Sequence, residues 1–129
     1  VVNYYTYLKN SEEPEKEPLG EFCINNYTRD EGLSRYLTIH INEDLQKKGL
    51  SKILMYYGCV HYAIETKIRD LDLMSVAADA SDGFWTKFMV EGRYYDRKLV
   101  IAGRGDELTC TFLKLCQFCG ADKVIQFNN

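Results

Sequence analysis

One segment, residues 37–54, restricts the fold more than any other part of the chain. Its first five residues alternate Leu and Ile with Thr38 and His40, which is typical of a strand. A polar turn at 46–51, which contains Gly49, separates this strand from a stretch with apolar side chains at spacings of three and four, which is typical of a helix. The predicted sheet-facing stripe consists of Leu50, Ile53, Leu54, Tyr57, Val60, His61 and Ile64.

The remaining segments predict a meander followed by alternating elements. Residues 1–8, 20–28 and 35–41 have the composition of three antiparallel strands, with a charged, proline-containing loop at 11–18. Helices are predicted over 45–66, 81–90 and 106–119, and strands over 71–76, 98–102 and 123–127. This order indicates an α+β (mixed α/β) fold.

The turn before the predicted helix has the properties of an anion site. The first N–H groups of a helix have no partner within the helix, and its dipole is positive at that end. Lys47, Lys48 and Lys52 add positive charge where a helix would otherwise prefer acidic residues. A solvated lysine face is the alternative, but the mismatch favours a phosphate or pyrophosphate ligand, which Gly49 would allow to approach the backbone.

The spacing of Gln46, Gly49 and Ser51 fits Gln/Arg-x-x-Gly-x-Gly/Ala, with Ser as the small last residue. This resembles the coenzyme A pyrophosphate loop of the GCN5-related N-acetyltransferases (GNAT). Residues 71–88 resemble the next strand of the family, its splayed junction and the helix that follows, which ends in an aromatic-x-Lys run. The resemblance covers about residues 19–100.

The chain departs from the family pattern at several positions. A Tyr that often protonates the leaving thiolate is replaced by Trp85, which has no acidic proton to give. The family's Asn falls on Ala78 or Asp79, and its Gly-Phe is stretched over 89–94. The one or two helices that the family places between its first two strands are not found before Tyr4, and the chain begins with Val1, as a piece of a longer protein would.

The resemblance implies a central mixed sheet with an antiparallel N-terminal meander, splayed parallel strands and flanking helices. It also implies acetyl-CoA as co-substrate and an amine acceptor, either a small molecule or a protein amine. The residues that it assigns to acetyl-CoA are Ile39, His40, Ile41, Gln46, Lys47, Lys48, Gly49, Leu50, Ser51, Lys52, Asp79, Phe84 and Trp85.

An acceptor amine has to be neutral when it attacks the thioester, so a group that removes its proton is expected. His40 is the first candidate, because it lies near the end of the strand beside the expected acetyl group and shares a face with Tyr36 and Thr38 by alternation. The alternative is a packed, hydrogen-bonded strand histidine. Tyr94 or Tyr95 would replace the missing acid, and no covalent enzyme intermediate is needed.

The sequence is also compatible with two other functions. The departures from the pattern also fit an inactive GNAT-like module that holds acetyl-CoA or binds a protein. Cys116 and Cys119 have the C-x-x-C spacing of zinc and redox sites, but the chain has no second such pair. Helical spacing of Leu108, Phe112 and Leu115 with Cys119 instead favours cysteines that serve as small core residues, and no metal site is predicted.

Composition restricts the partners and the compartment. With 129 residues and 46% hydrophobic content, the chain suits a single domain over 1–129. A net charge of −3 gives no basic stripe for nucleic acid, and no apolar run approaches the about 18 residues that span a bilayer. Five cysteines, an odd number, favour reduced thiols and a cytoplasmic location. We expect a monomer or a homodimer.

Overall fold

The computed structural model describes the backbone of residues 3–29, 32–42, 45, 49–76, 84, 87–91 and 107–127. Within these ranges the strands are β1 (Asn3–Leu8), β2 (Gly20–Arg29), β3 (Gly32–Ile41), β4 (Asp72–Val76), β5 (Val90–Glu91) and β6 (Glu107–Thr111). The helices are α1 (Leu50–Thr66) and α2 (Phe112–Cys119), and a 3-10 turn, Ala121–Lys123, follows α2. None of the described helices is both long and apolar enough to cross a membrane.

The six strands form one mixed sheet in the order β1-β2-β3-β4-β6-β5. The first three strands are antiparallel, so the predicted meander is confirmed. β4 lies parallel to β3, while β6 pairs antiparallel with both β4 and β5. Residues 9–19, between β1 and β2, form bends and turns and contain no helix. The predicted mixed α/β architecture is therefore confirmed.

Helix α1 packs on one face of the sheet with only part of the predicted stripe, since Leu54 is buried and Leu50 and Val60 pack against the core. Ile53, Tyr57 and Ile64 are 51%, 60% and 66% exposed. The helix instead buries an arc that is rich in small residues, because these allow its backbone to lie close to the strands. The buried residues are Leu54, Met55, Gly58, Cys59, Tyr62 and Ala63.

The predicted helix start at Leu45 is wrong, and the reason lies at Gly49. Leu45 donates its N–H to the Asn42 carbonyl at 2.9 Å in a short 3-10 turn. Gly49 then takes a left-handed conformation with φ of 74°, which cannot continue an α-helix, so α1 begins at Leu50. Because glycine adopts this conformation without penalty, the turn and the helix start depend on the same residue.

The predicted helix over 106–119 is half right. Residues 107–111 form β6, because they pair with β4 from Glu107 opposite Val76 to Thr111 opposite Asp72. Sheet pairing outweighs the helical spacing of Leu108 at this point. The helix begins only at Phe112, where the Thr111 hydroxyl accepts a hydrogen bond from the Lys114 N–H at 3.1 Å.

Two further predicted elements, the helix over 81–90 and the strand over 123–127, differ from the structure. Val90 belongs to β5, so the helix predicted over 81–90 stops earlier, and the strand predicted over 98–102 lies outside the described residues. Residues 123–127 form no strand. The Arg69 guanidinium donates to the Gln126 carbonyl at 3.0 Å and to the Ala63 carbonyl at 2.9 Å, which fastens this segment to the end of α1 instead of to the sheet.

Candidate functional site

The N-terminus of α1 presents open backbone. A Cβ placed on Gly49 would have no neighbouring atom within 4 Å, so the space beside the turn is free of described side chains. None of the described side chains caps the helix, and its first turn contains no acidic residue. The first N–H groups of α1 have no partner within the helix, and the anion site that the sequence predicts there stays a prediction. Ser51 is partly exposed and Lys52 is exposed beside them.

The strands before and beside this helix meet over a very short length. Among the described residues, β3 and β4 share one register pair, Tyr36 with Met74. β3 then continues to Ile41 and β4 to Val76 without a further pair between them within the described chain. On its other side, β4 is paired with β6 along its whole length. This pattern agrees with the predicted splayed parallel strands next to the turn that leads into α1.

Side chains at the end of β3 alternate between the two faces of the sheet. Ile41 is buried and Ile39 half-buried on the α1 side, where they belong to or pack against the core. His40 points to the opposite face and is exposed. Tyr36 and Thr38 share that face by alternation, as predicted. Of the three residues assigned to the coenzyme arm, Ile39 and Ile41 therefore face α1, and His40 faces away from it.

His40 belongs to a row of polar groups that crosses three strands. It lies opposite Glu21 on β2, and Glu21 lies opposite Tyr7 on β1. Loss of hydration and the Glu21 carboxylate, in that order, raise the pKa of Tyr7. The next row contains Cys23, whose thiol donates to the Asn25 side-chain oxygen at 3.1 Å. The face opposite α1 thus combines an imidazole, a carboxylate and a phenol.

Aromatic rings lie beside the first turns of α1. The Lys52 ammonium lies 4.6 Å from the centre of the Phe118 ring, which belongs to α2. Phe118 stacks on Phe88 with 4.4 Å between ring centres, and Phe84 contacts both rings edge-on. Phe84, assigned to the coenzyme site from the sequence, is half-buried in this aromatic cluster. Lys52 is held over the cluster, next to the N-terminus of α1.

Cys23 and Cys59 are not arranged for nucleophilic attack, and the described cysteines do not form a metal site. Burial raises the pKa of Cys23 to about 11, and hydrogen bonds to Cys116 and Cys119 raise that of Cys59 well above its usual range. Both thiols are protonated at neutral pH, and thiols are weak nucleophiles. Within the described ranges, no group of three or more His, Cys, Asp or Glu side chains could hold a metal ion.

Several predicted site residues lie outside the described residues and stay predictions: Gln46, Lys47, Lys48, Asp79, Trp85 and Tyr94. Sequence reasoning missed Tyr7, Glu21 and Phe118. The first two are placed in one row with His40 by the strand register, and the loop at 11–18 gives no signal of that register. Phe118 reaches the site because α2 packs along α1, and no local pattern predicts that contact.

Comparison with solved structures fits this arrangement. Gcn5 from Tetrahymena superposes with a TM-score of 0.56 at 12% identity, over 85% of this chain and 68% of that one. A spermidine N-acetyltransferase SpeG chimera from Vibrio cholerae and hSSAT gives 0.54 at 14% identity, over 88% and 69%. AtaTR bound with acetyl-CoA gives 0.52 at 15% identity, over 81% and 65%.

The chain has the GNAT fold. The sheet order, the parallel pair β3 and β4 and the helix between them therefore correspond to those of GNAT proteins, as the resemblance of residues 46–51 implies. No protein-family model matches the sequence, and no curated protein matches it. At identities of 12% to 15%, the likeness concerns the fold, and this chain's own residues have to support any activity.

Proposed function

We propose that this GNAT-fold protein is an N-acetyltransferase that transfers an acetyl group from acetyl-CoA to a primary amine. The observation that carries the proposal is the position of Gly49. It opens the N-terminus of α1 directly after β3, the strand whose pairing with β4 is limited to Tyr36 and Met74 in the described chain. A pyrophosphate at the helix and a thioester arm between the strands would use both features.

The fit of the chain to acetyl-CoA rests on three groups of residues. The backbone of Gly49, Leu50 and Ser51 would accept the pyrophosphate, with the Lys52 ammonium supplying charge. The main chain of 39–41 would align the pantetheine arm. Gln46, Lys47 and Lys48 would complete the phosphate loop, and Asp79, Phe84 and Trp85 the opposite wall. Acetyl-CoA supplies an activated carbonyl and a thiolate leaving group.

The acceptor amine would approach from the face that carries Tyr7, Glu21 and His40. The Glu21 carboxylate would attract the cationic amine, and His40, exposed at the end of β3, would accept its proton. The neutral amine would then form the new C–N bond while the C–S bond breaks. A backbone N–H near Ile41 would polarise the carbonyl oxygen, and Tyr94 would protonate the thiolate. Most of the rate would come from positioning.

Calorimetric titration of acetyl-CoA tests the cofactor site. We expect micromolar binding to the wild type, and binding to Gly49→Asp weaker by at least about tenfold than binding to Gly49→Asn. Asn and Asp have the same shape, and both tolerate the left-handed backbone at this position, so the comparison isolates the carboxylate. Absence of heat with the folded wild-type protein would refute the proposal.

One observation favours a second function, a binding module without turnover. Residues 9–19 contain no helix, whereas the family places helices between its first strands, and those helices help to form the acceptor site. Release of free CoA in the presence of a panel of polyamines, amino compounds and lysine peptides separates the two. Acetyl-CoA binding without amine-dependent CoA release would support the module.

The proposal also includes the compartment and the partners of the protein. Reduced cysteines support a cytoplasmic protein, and the net charge of −3 supports an amine acceptor over nucleic acid. A monomer or a homodimer is expected, with no membrane partner. Light scattering of the purified protein and gel-shift assays with DNA and RNA would test these points.

A further inference from the structure

Three thiols meet between the two described helices. Cys59 projects from α1, and Cys116 and Cys119 lie one helical turn apart on α2. Cys59 forms side-chain hydrogen bonds with both. Cys59 and Cys116 are completely buried, whereas Cys119 is partly exposed. The cluster therefore consists of one partly exposed cysteine and two buried cysteines.

The accessible thiol differs chemically from its neighbour. A hydrogen bond from Cys59 lowers the pKa of Cys119 despite its partial burial, and the backbone N–H of Ala121 acts in the same direction. The nearby Asp122 carboxylate opposes this effect only weakly. The Cys119 sulfur also lies 3.7 Å from the Cys116 carbonyl oxygen, at the last turn of α2. Cys119 is therefore the member of the cluster that an oxidant in solvent can reach, and Cys59 is its buried neighbour.

We propose that this cluster is a peroxide-reactive site in which Cys119 is the attacking thiol and Cys59 the resolving thiol, giving a disulfide between α1 and α2. The site goes beyond the proposed acetyl transfer and does not depend on it. It has the arrangement of a redox-reactive site, a partly exposed cysteine with a second thiol beside it.

The oxidant is hydrogen peroxide or an alkyl hydroperoxide, and the reaction has two steps. The Cys119 thiolate attacks one peroxide oxygen, an S–O bond forms, the O–O bond breaks and hydroxide leaves, so that sulfur is oxidised and peroxide reduced. The Cys59 sulfur then attacks the sulfenic acid of Cys119. The S–S bond forms as the S–O bond breaks, and the hydroxyl group leaves as water with the Cys59 proton.

The position of the cluster gives the disulfide a structural consequence. Cys119 follows Phe118, whose ring lies under the Lys52 ammonium at the start of α1. A bond between Cys59 and Cys119 would fix the end of α2 against α1 beside the N-terminus of that helix. The reduced protein has free thiols at all these positions.

Mass spectrometry of the reduced wild-type protein after a short peroxide treatment tests the proposal. We expect the loss of two hydrogens and a peptide pair linked through Cys59 and Cys119, reversed by a dithiol reductant. A linkage of Cys59 to Cys116, a linkage through Cys110, or no linkage in a protein that remains folded would overturn it.

Substitutions separate the attack on peroxide from the formation of the disulfide. Cys119→Ser should slow peroxide consumption at least about tenfold, whereas Cys59→Ser should react and accumulate a sulfenic acid that a dimedone probe traps. Cys23→Ser is the matched control, because Cys23 lies on the other face of the sheet, and should react as the wild type does. Equal consumption by wild type and Cys119→Ser would refute the assignment.

A measurement on the wild-type protein tests the proposal without depending on variants that could fail to fold. Brief alkylation with iodoacetamide, followed by peptide mapping, should label Cys119 before the four other cysteines. Equal or earlier labelling of Cys59 would overturn the proposal without any substitution. Because neither assay contains acetyl-CoA, failure here and failure of the proposed acetyl transfer are separate results.

Discussion

The Phe22 ring on β2 occupies the space that a side chain at Gly58 on α1 would need. A Cβ built on Gly58 would overlap two carbons of this ring, which is 1% exposed and packed in the core. The helix backbone therefore rests directly on an aromatic ring of the sheet. This contact fixes the distance between α1 and the strands, and with it the position of the Gly49 turn relative to the end of β3.

Gly58→Ala should destabilise the protein although alanine favours helices. The gain in helix propensity is about 1 kcal/mol, while overpacking a filled core costs about 1–3 kcal/mol. We expect a net loss of about 1 kcal/mol in the free energy of unfolding, measured by urea denaturation. The double variant with Phe22→Leu should lose less than the sum of the single variants. A Gly58→Ala protein more stable than the wild type would contradict the contact.

Thr111→Ala should weaken the junction between β6 and α2. Thr111 ends the strand and caps the helix, accepting from the Lys114 N–H at 3.1 Å. Losing such a cap costs about 0.5–2 kcal/mol, and Thr111→Ser, which keeps the hydroxyl, should cost less. Thermal unfolding of the three proteins checks this order. Equal stability of the Ala and Ser variants would mean that the cap contributes nothing.

Much of the fold could be predicted because strand signals near the N-terminus agree with their surroundings. Residues 37–41 of β3 alternate apolar and polar side chains, and β1 and β2 have the composition of strands. The predicted bounds of all three differ from the observed ones by a few residues. The turn predicted at Gly49 is also present, because glycine adopts its left-handed backbone without penalty. These signals depend on neighbouring residues alone, and the tertiary contacts of the structure agree with them.

The wrong predictions lie where contacts between distant parts of the chain determine the structure. The apolar residues Ile53 and Tyr57 indicate the wrong face of α1, because Gly58 and Ala63 permit a close approach that hydrophobicity does not reveal. Residues 107–111 look helical until β4 is present to pair with them. The Glu21 and His40 pair depends on a register that only the folded hairpin fixes. Local pattern cannot supply tertiary partners of this kind.

His40→Gln should reduce turnover without weakening acetyl-CoA binding, if His40 accepts the proton of the amine. General base catalysis contributes about 10²–10⁴-fold, so we expect a fall in kcat at the low end of that range or beyond. Glutamine keeps hydrogen-bonding capacity and size but cannot take a proton in this pH range. The measurement is steady-state CoA release with the best amine, alongside calorimetry with acetyl-CoA.

Thr38→Ala provides the matched control for His40→Gln. Thr38 lies two residues away on the same face of β3 and is exposed like His40. Its loss should leave kcat within a small factor of the wild type. If the two variants lose activity equally, the effect belongs to the strand or its surface, and His40 is not the base.

Cys110 should make the protein less stable at alkaline pH. Burial, followed by the charges of Asp72 and Cys116, raises the pKa of Cys110 to about 12 from an ordinary value of 9.0. The folded state therefore keeps a proton that the unfolded chain loses, and stability falls as pH rises from about 9 toward 12. Between pH 8 and 10 this thiol should remove about 1 kcal/mol.

Cys110→Ala isolates that contribution, because every other titrating group is common to both proteins. Alanine leaves a small cavity, so the variant should be less stable than the wild type at pH 8. The difference should shrink by about 1 kcal/mol at pH 10, since only the wild type has the thiol to lose. Urea unfolding under a phosphine reductant at both pH values measures this, and the reductant excludes disulfide formation. A difference that stays constant with pH would show that the thiol titrates alike in the folded and unfolded states.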